Sequence, residues 1–293
     1  MGKHIPQSTH EGTILKDRFT SEDIFERIIQ VAGEEITTGR RELFFSALAA
    51  GFAITLTFFL YATLTYKTDA HPIFSAILYP LGFLYIVLGN YQLFTENTLP
   101  PVALVIERMA SIPSLLRVWG VVLFGNLFGG FIGAAILAFT GIFSSGAAST
   151  AVDIATKVTV TPWQDLLVRG AMAGFIVAGI VWLDYASRDN GIRFFLIYTG
   201  FLAIPLGGLN HIVVTATEIS YLSFTVGTPL LPLLWSTALP VLIGNTLGGV
   251  ILVTVVNYFQ TPHFIQEDPK KRLSMDKWLF SFCTFKDKKR RRK

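Results

Sequence analysis

The stretch 120-GVVLFGNLFGGFIGA-134 returns at 239-LPVLIGNTLGGVILV-253. The shared pattern G-N-x-x-G-G puts Asn126 and Asn245 in the same place 119 residues apart. A second pair of stretches repeats at nearly the same offset: 47-ALAAGFAITLTF-58 against 170-GAMAGFIVAGIV-181. The chain is therefore read as two similar halves. Gly125 and Gly129, like Gly244 and Gly248, are small-xxx-small pairs that allow close helix approach. Asn126 and Asn245 are expected to hydrogen-bond across helices or back to broken backbone.

The surroundings of these motifs set the fold class. Of 293 residues, 52% are hydrophobic and only 15% are charged, against about 25% charged in ordinary soluble domains. Six apolar stretches, near 43–66, 72–104, 115–140, 163–186, 194–225 and 229–259, reach the roughly 20 residues a helix needs to cross a bilayer. The reading is an all-α integral membrane protein with six transmembrane helices. Three spans per half oblige the halves to run in opposite directions, which makes an inverted repeat.

The second and fifth spans are polar at their centres, 89-GNYQLFTENTL-99 and 205-PLGGLNHIVVTATEI-219. A charged side chain at such depth costs about 2.5–3.5 kcal/mol on the lenient scale. Interrupted backbone is tolerated there only when buried in protein or lining a cavity. Helices 2 and 5 are therefore expected to be broken, with Pro205, Gly207 and Gly208 breaking the second. Thr95 and Asn97 are expected to cap the half-helix that follows the first break.

Lys and Arg cluster on one side: Arg27, Arg40, Arg41, Arg108, Arg117, Arg188 and Arg193, against Lys67 and Lys157 on the other. Both ends are thus expected in the cytoplasm, in a cell (inner) membrane, with no cleavable leader. Three regions are expected: a cytoplasmic segment at 1–41, the six-helix domain at 42–260 and a basic tail at 261–293. Within the first, 20-TSEDIFERIIQVAGEEI-36 reads as an amphipathic helix capped by Thr20 or Ser21, with Ile24, Phe25, Ile28 and Ile29 on one stripe. The run 286-KDKKRRRK-293 suits anionic lipid or plain solvation; nucleic acid is not the expected partner. The lone Cys283 provides no disulfide framework.

His211 is the one histidine at membrane depth, since His4, His10, His71 and His263 fall in tails or loops. An imidazole there reads as pore-lining. Glu96 and Glu218 stay open. As ions facing a lumen they suit a cation or proton path; protonated, or bonded to broken backbone, they are structural, which the adjoining breaks favour. Lys157 and Arg169 supply a positive field at one mouth, or Arg169 snorkels to headgroups.

At 93-LFTENT-98, 208-GLNH-211 and 244-GNTLGG-249 the sequence resembles the formate/nitrite transporter family across roughly 40–260. The YfdC-like branch is closer still, through 117-RVWGVVLFGN-126 and 211-HIVVTATEISYL-222. The resemblance implies an aquaporin-like six-helix protomer in a homopentamer, one pore per subunit, passing small monovalent weak acids with a proton. It implies an apolar constriction at Leu93, a gate at Thr95, a second constriction at Ile204, the central pore histidine at His211 and a vestibule lysine at Lys157. Departures from the family pattern fall at Asn210, which stands where an acid is usual, at Gly174, which stands for a polar amide, and at Glu96, directly after the gate.

A small weak-acid anion such as formate or nitrite is the expected substrate, and no cofactor is expected. Glu96 and Glu218 motivate an alternative, a neutral or cationic solute such as ammonia or ammonium. An intramembrane enzyme is a third class. The chain has no H-E-x-x-H, no G-x-S-x-G and no cysteine at membrane depth. His211 and Glu218, about 10 Å apart along a helix, cannot chelate one metal unaided.

Overall fold

The computed structural model describes residues 19–261 and 272–284; the run 286–293 lies outside them. Among the described residues, four helices are long and apolar enough to span a bilayer: α2 (Arg40–Lys67), α5 (Ile112–Phe139), α7 (Trp163–Ala186) and α10 (Leu230–Gln260). The two remaining apolar stretches are interrupted. One runs as α3 (Pro72–Leu88), an irregular crossing and α4 (Pro100–Ile106); the other as α8 (Asn190–Leu206) and α9 (Ile212–Val226).

Each break has a local cause. At the first, Gly89 ends α3 and Asn90 takes a left-handed φ of 54°, a conformation that asparagine tolerates better than most residues. Residues Glu96–Thr98 then make a single 3₁₀ turn before the Pro100–Pro101 start of α4. Thr95 and Asn97 therefore do not cap α4; Leu99 occupies that position without a side-chain bond, and Thr98 Oγ1 donates to the Thr95 carbonyl at 2.7 Å. At the second break, Pro205 lies in the last turn of α8, Gly207 ends it, and Gly208 sits at φ +61°.

The repeated asparagines close both breaks in the same way. Asn126 Oδ1 accepts from the Phe94 N–H at 2.8 Å, and its Nδ2 donates to the Ala47 and Gln92 carbonyls, both at 2.8 Å. Asn245 Oδ1 accepts from the Ile212 N–H at 2.8 Å, and its Nδ2 donates to Gly170 at 2.8 Å and Asn210 at 3.0 Å. Each amide thus bridges a neighbouring helix and a broken strand of backbone, combining the two roles the sequence left open. The helices carrying them approach without side chains between: a Cβ on Gly51 would strike the Asn126 carbonyl, and one on Gly174 the Asn245 carbonyl. Gly129 and Gly248 meet the backbone of Leu48 and Ala171 in the matching way.

Further helices frame this core. α1 (Ser21–Glu35) begins with a capping box between Thr20 and Asp23 and buries Ile24, Phe25, Ile28 and Ile29, packing on α4 and α7. α6 (Ser145–Thr159), which the sequence reading treated as loop, packs against α2 and α9. The short α11 (Met275–Phe280) is clipped beside α4: Trp278 Nε1 donates to the Val105 carbonyl at 2.8 Å. α10 contains two π-helical turns, at Leu234–Ala238 and Gly248–Val255.

Two glycines of α7 test the close approach. Gly174→Ala is expected to destabilise the purified protein by about 1–3 kcal/mol through overpacking. Gly179→Ala, where a Cβ meets nothing within 4 Å, is expected to be neutral or stabilising by about 0.5–1 kcal/mol. Thermal unfolding in detergent measures both.

Candidate functional site

The two breaks bring Thr95 and His211 together. Thr95 follows the first break and His211 precedes α9, and their Oγ1 and Nε2 atoms lie 2.8 Å apart. Both are buried, at 0% and 1% exposure. Phe83 meets the imidazole edge-on at 5.0 Å between centroids and stacks on Phe201 at 3.9 Å. His211 Nδ1 has no hydrogen-bond partner. Leu93 and Ile204 are fully buried in the same apolar core. The sequence marked Thr95, His211, Leu93 and Ile204 singly but not Phe83 or Phe201; nothing in it joins two positions 116 residues apart.

A cavity of about 350 Å³ opens on one side of this pair. Its lining includes Lys157, Arg169, Asn210, His211 and Glu218, with Tyr61 and Tyr79 opposite. Arg169 thus faces a cavity. A second cavity, of about 430 Å³, lies beneath α1. Glu34, Glu35, Glu96 and Asp184 line it, beside Gln92 and Arg193. Leu93, Thr95 and Ile204 line neither cavity; all three are fully buried.

The two cavities differ in charge. The first holds two cationic side chains and one carboxyl. The second holds four carboxyls and one guanidinium, which is already engaged: Arg193 Nε lies 2.6 Å from Asp184 Oδ1 and NH2 donates to Oδ2 at 2.9 Å. Glu96 and Glu218 each leave one buried oxygen without a partner, while the broken backbone is bonded by Asn126 and Asn245. Asn210 Oδ1 is likewise unpartnered. Among the described residues, no three His, Cys, Asp or Glu side chains converge as a metal site.

The sequence reading missed Glu34, Glu35, Asp184 and Arg193 as cavity residues. Arg193 counts there only among the charges that set orientation, and the glutamates only as part of the amphipathic stretch 20–36. The available signal was that end itself, where 33-GEE-35 closes α1 close to the membrane domain.

A family model described as formate/nitrite transporter matches residues 22–259. Inner membrane protein YfdC of Escherichia coli K12 is 29% identical over 242 residues, 81% of this chain and 77% of that protein. Formate channel FocA of Haemophilus influenzae is 25% identical over 246 residues, 74% of this chain and 86% of that one. Among solved structures, an FNT family ion channel superposes with a TM-score of 0.75 at 20% identity, covering 82% of this chain and all 100% of the other. A pentameric formate channel with formate bound gives 0.64 at 20% identity, covering 75% and 97%.

Glu35 gives the α1 side a pH dependence. Burial pushes its carboxyl up from 4.5 to about 7, against a hydrogen bond from Gln92 that acts the other way. The folded chain then keeps a proton that the unfolded chain releases, so stability falls as pH rises from 4.5 to 7 and is level above. The whole effect is at most about 3 kcal/mol, reduced by partial exposure. Amide hydrogen exchange across α1, corrected for intrinsic rates, is expected to be faster at pH 8 than at pH 5, and Glu35→Gln to remove that difference.

Proposed function

The chain belongs to the formate/nitrite transporter family, and on that premise we propose that it is a membrane channel for small monovalent weak-acid anions of the formate or nitrite kind, moved together with a proton. The observation that carries this reading is the Thr95–His211 pair, buried between a cavity with two cations and a cavity rich in carboxyls. Lys157 and Arg169 raise the local concentration of an anion at the first mouth. Beyond it Leu93, Ile204 and Phe83 replace water with hydrocarbon. Losing hydration disfavours the charged form of the substrate, so the neutral acid is the form that crosses. Thr95 and His211 offer it a hydroxyl and an imidazole nitrogen in exchange for the water it leaves. In the second cavity the acid meets water again, dissociates and leaves as the anion.

In this account the broken pairs α3–α4 and α8–α9 complete six spans in two inverted halves, with Asn126 and Asn245 related by the pseudo-two-fold. The domain division is 1–41, 42–260 and 261–293. The cation-lined cavity faces outward, because Arg40, Arg41, Arg108, Arg117, Arg188 and Arg193 gather on the α1 side. Both termini are then cytoplasmic, in an inner membrane like that of the YfdC relative. A homopentamer is supported by the pentameric formate channel of matching fold. The ammonia or ammonium alternative draws no support from the family model, described as formate/nitrite transporter, or from the formate channel relative. Membership of a transporter family likewise leaves the enzyme reading without support.

Stopped-flow mixing of proteoliposomes containing a pH dye tests the proposal, with formate, nitrite, acetate and ammonium as challenges. Fast internal acidification by formate and nitrite is expected. His211→Ala is expected to change the rate on the order of tenfold, the equivalent of one hydrogen bond of about 1.4 kcal/mol. Alkalinisation by ammonium alone, or rates no faster than in empty liposomes, would overturn it.

A further inference from the structure

Glu218 is a buried carboxyl for which the channel mechanism so far has no use. On α9 it shares one face with His211 and Thr215, at spacings of seven and three residues, and all three line the cation-bearing cavity. The side chain is 6% exposed, and its Oε2 is sealed from solvent with no hydrogen-bond partner. Buried carboxyl oxygens left unbonded are uncommon in folded proteins. The groups that face it across the cavity are Tyr61 of α2, Tyr79 within α3, Lys157 of α6 and Arg169 of α7, with His211 on its own helix. None of them bonds to Oε2. Asp153, also on α6, is exposed and does not line the cavity. Among the described residues, Glu218 is thus the one carboxyl lining the cavity that holds Lys157 and Arg169, and its Oε2 is buried and uncommitted.

Resting on the weak-acid channel reading, we propose that Glu218 is the proton-exchange residue of the outer vestibule and sets the preference for anions that can accept a proton. In its acid form it gives the proton to the carboxylate or nitrite oxygen of the anion held near Lys157 and Arg169. The O–H bond of Glu218 breaks, an O–H bond forms on the substrate, and the neutral acid moves on to Thr95 and His211. The Glu218 carboxylate left behind is reloaded by hydronium from the outer water, and no electrons are transferred.

The test is the pH profile of formate influx at fixed total formate, from pH 5 to 8, in proteoliposomes. Wild type is expected to show a shallow acidic limb, changing less than about twofold per pH unit, before it steepens. Glu218→Gln keeps the shape but has no proton to exchange. Its influx is expected to track neutral formic acid alone and fall about tenfold per unit throughout. Superimposable profiles would overturn the assignment. If Glu218→Gln does not conduct, Glu218→Asp decides: a restored shallow limb supports the role, and an inactive or uniformly steep variant overturns it. Absence of formate influx in wild type would instead sink the channel reading, and this inference with it.

Discussion

A helix that stops inside a bilayer leaves carbonyls and N–H groups where water cannot reach them, and each unsatisfied group costs several kcal/mol. This chain stops two helices there. Asn126 and Asn245 meet the cost, each accepting from one stranded N–H and donating to one stranded carbonyl and to one carbonyl of a neighbouring helix. The rest of the arrangement follows from that requirement. An amide can bridge helix and break only if the two helices touch backbone to backbone, which is why Gly51 and Gly174 stand opposite the asparagines. With both breaks fixed, Thr95 and His211 fall within hydrogen-bonding distance.

The two breaks differ although their supports are paired. Asparagine and glycine recur in both halves, but the residues at the breaks do not: the amide that holds the Phe94 N–H has Leu93 before it, whereas the one that holds Ile212 has His211. The mouths diverge further. One cavity contains Lys157 and Arg169; the other is closed over by α1 and contains Glu34, Glu35, Glu96 and Asp184. Equivalent backbone scaffolding therefore carries different chemistry at its two ends. A repeat can keep its supports while its lining diverges because the supports use backbone groups and the lining uses side chains.

Much of the scaffold was legible in the sequence. The G-N-x-x-G-G repeat, the glycine pairs, the breakers Pro205, Gly207 and Gly208, and the amphipathic α1 are local signals with local causes, and the structure has all of them. The first break was only half legible. Thr95 and Asn97 have cap-forming side chains, but the Pro100–Pro101 pair fixes the start of α4 beyond them. α6 went unread because its hydrophobic face is made of alanines, Ala147, Ala151 and Ala155, too small to stand out from a polar loop. The meeting of Thr95 with His211 and of α1 with Glu96 depends on packing between distant segments, which no spacing encodes.

In the proposed channel the asparagine bridges hold the conducting path in place. Formate-driven acidification of proteoliposomes by Asn126→Leu and Asn245→Leu, normalised to the amount of inserted protein, tests it most directly. Either change removes two hydrogen bonds from one break and one from a neighbouring helix, and each is expected to abolish fast acidification while the protein remains in the membrane. Acidification at the wild-type rate in either variant would contradict it.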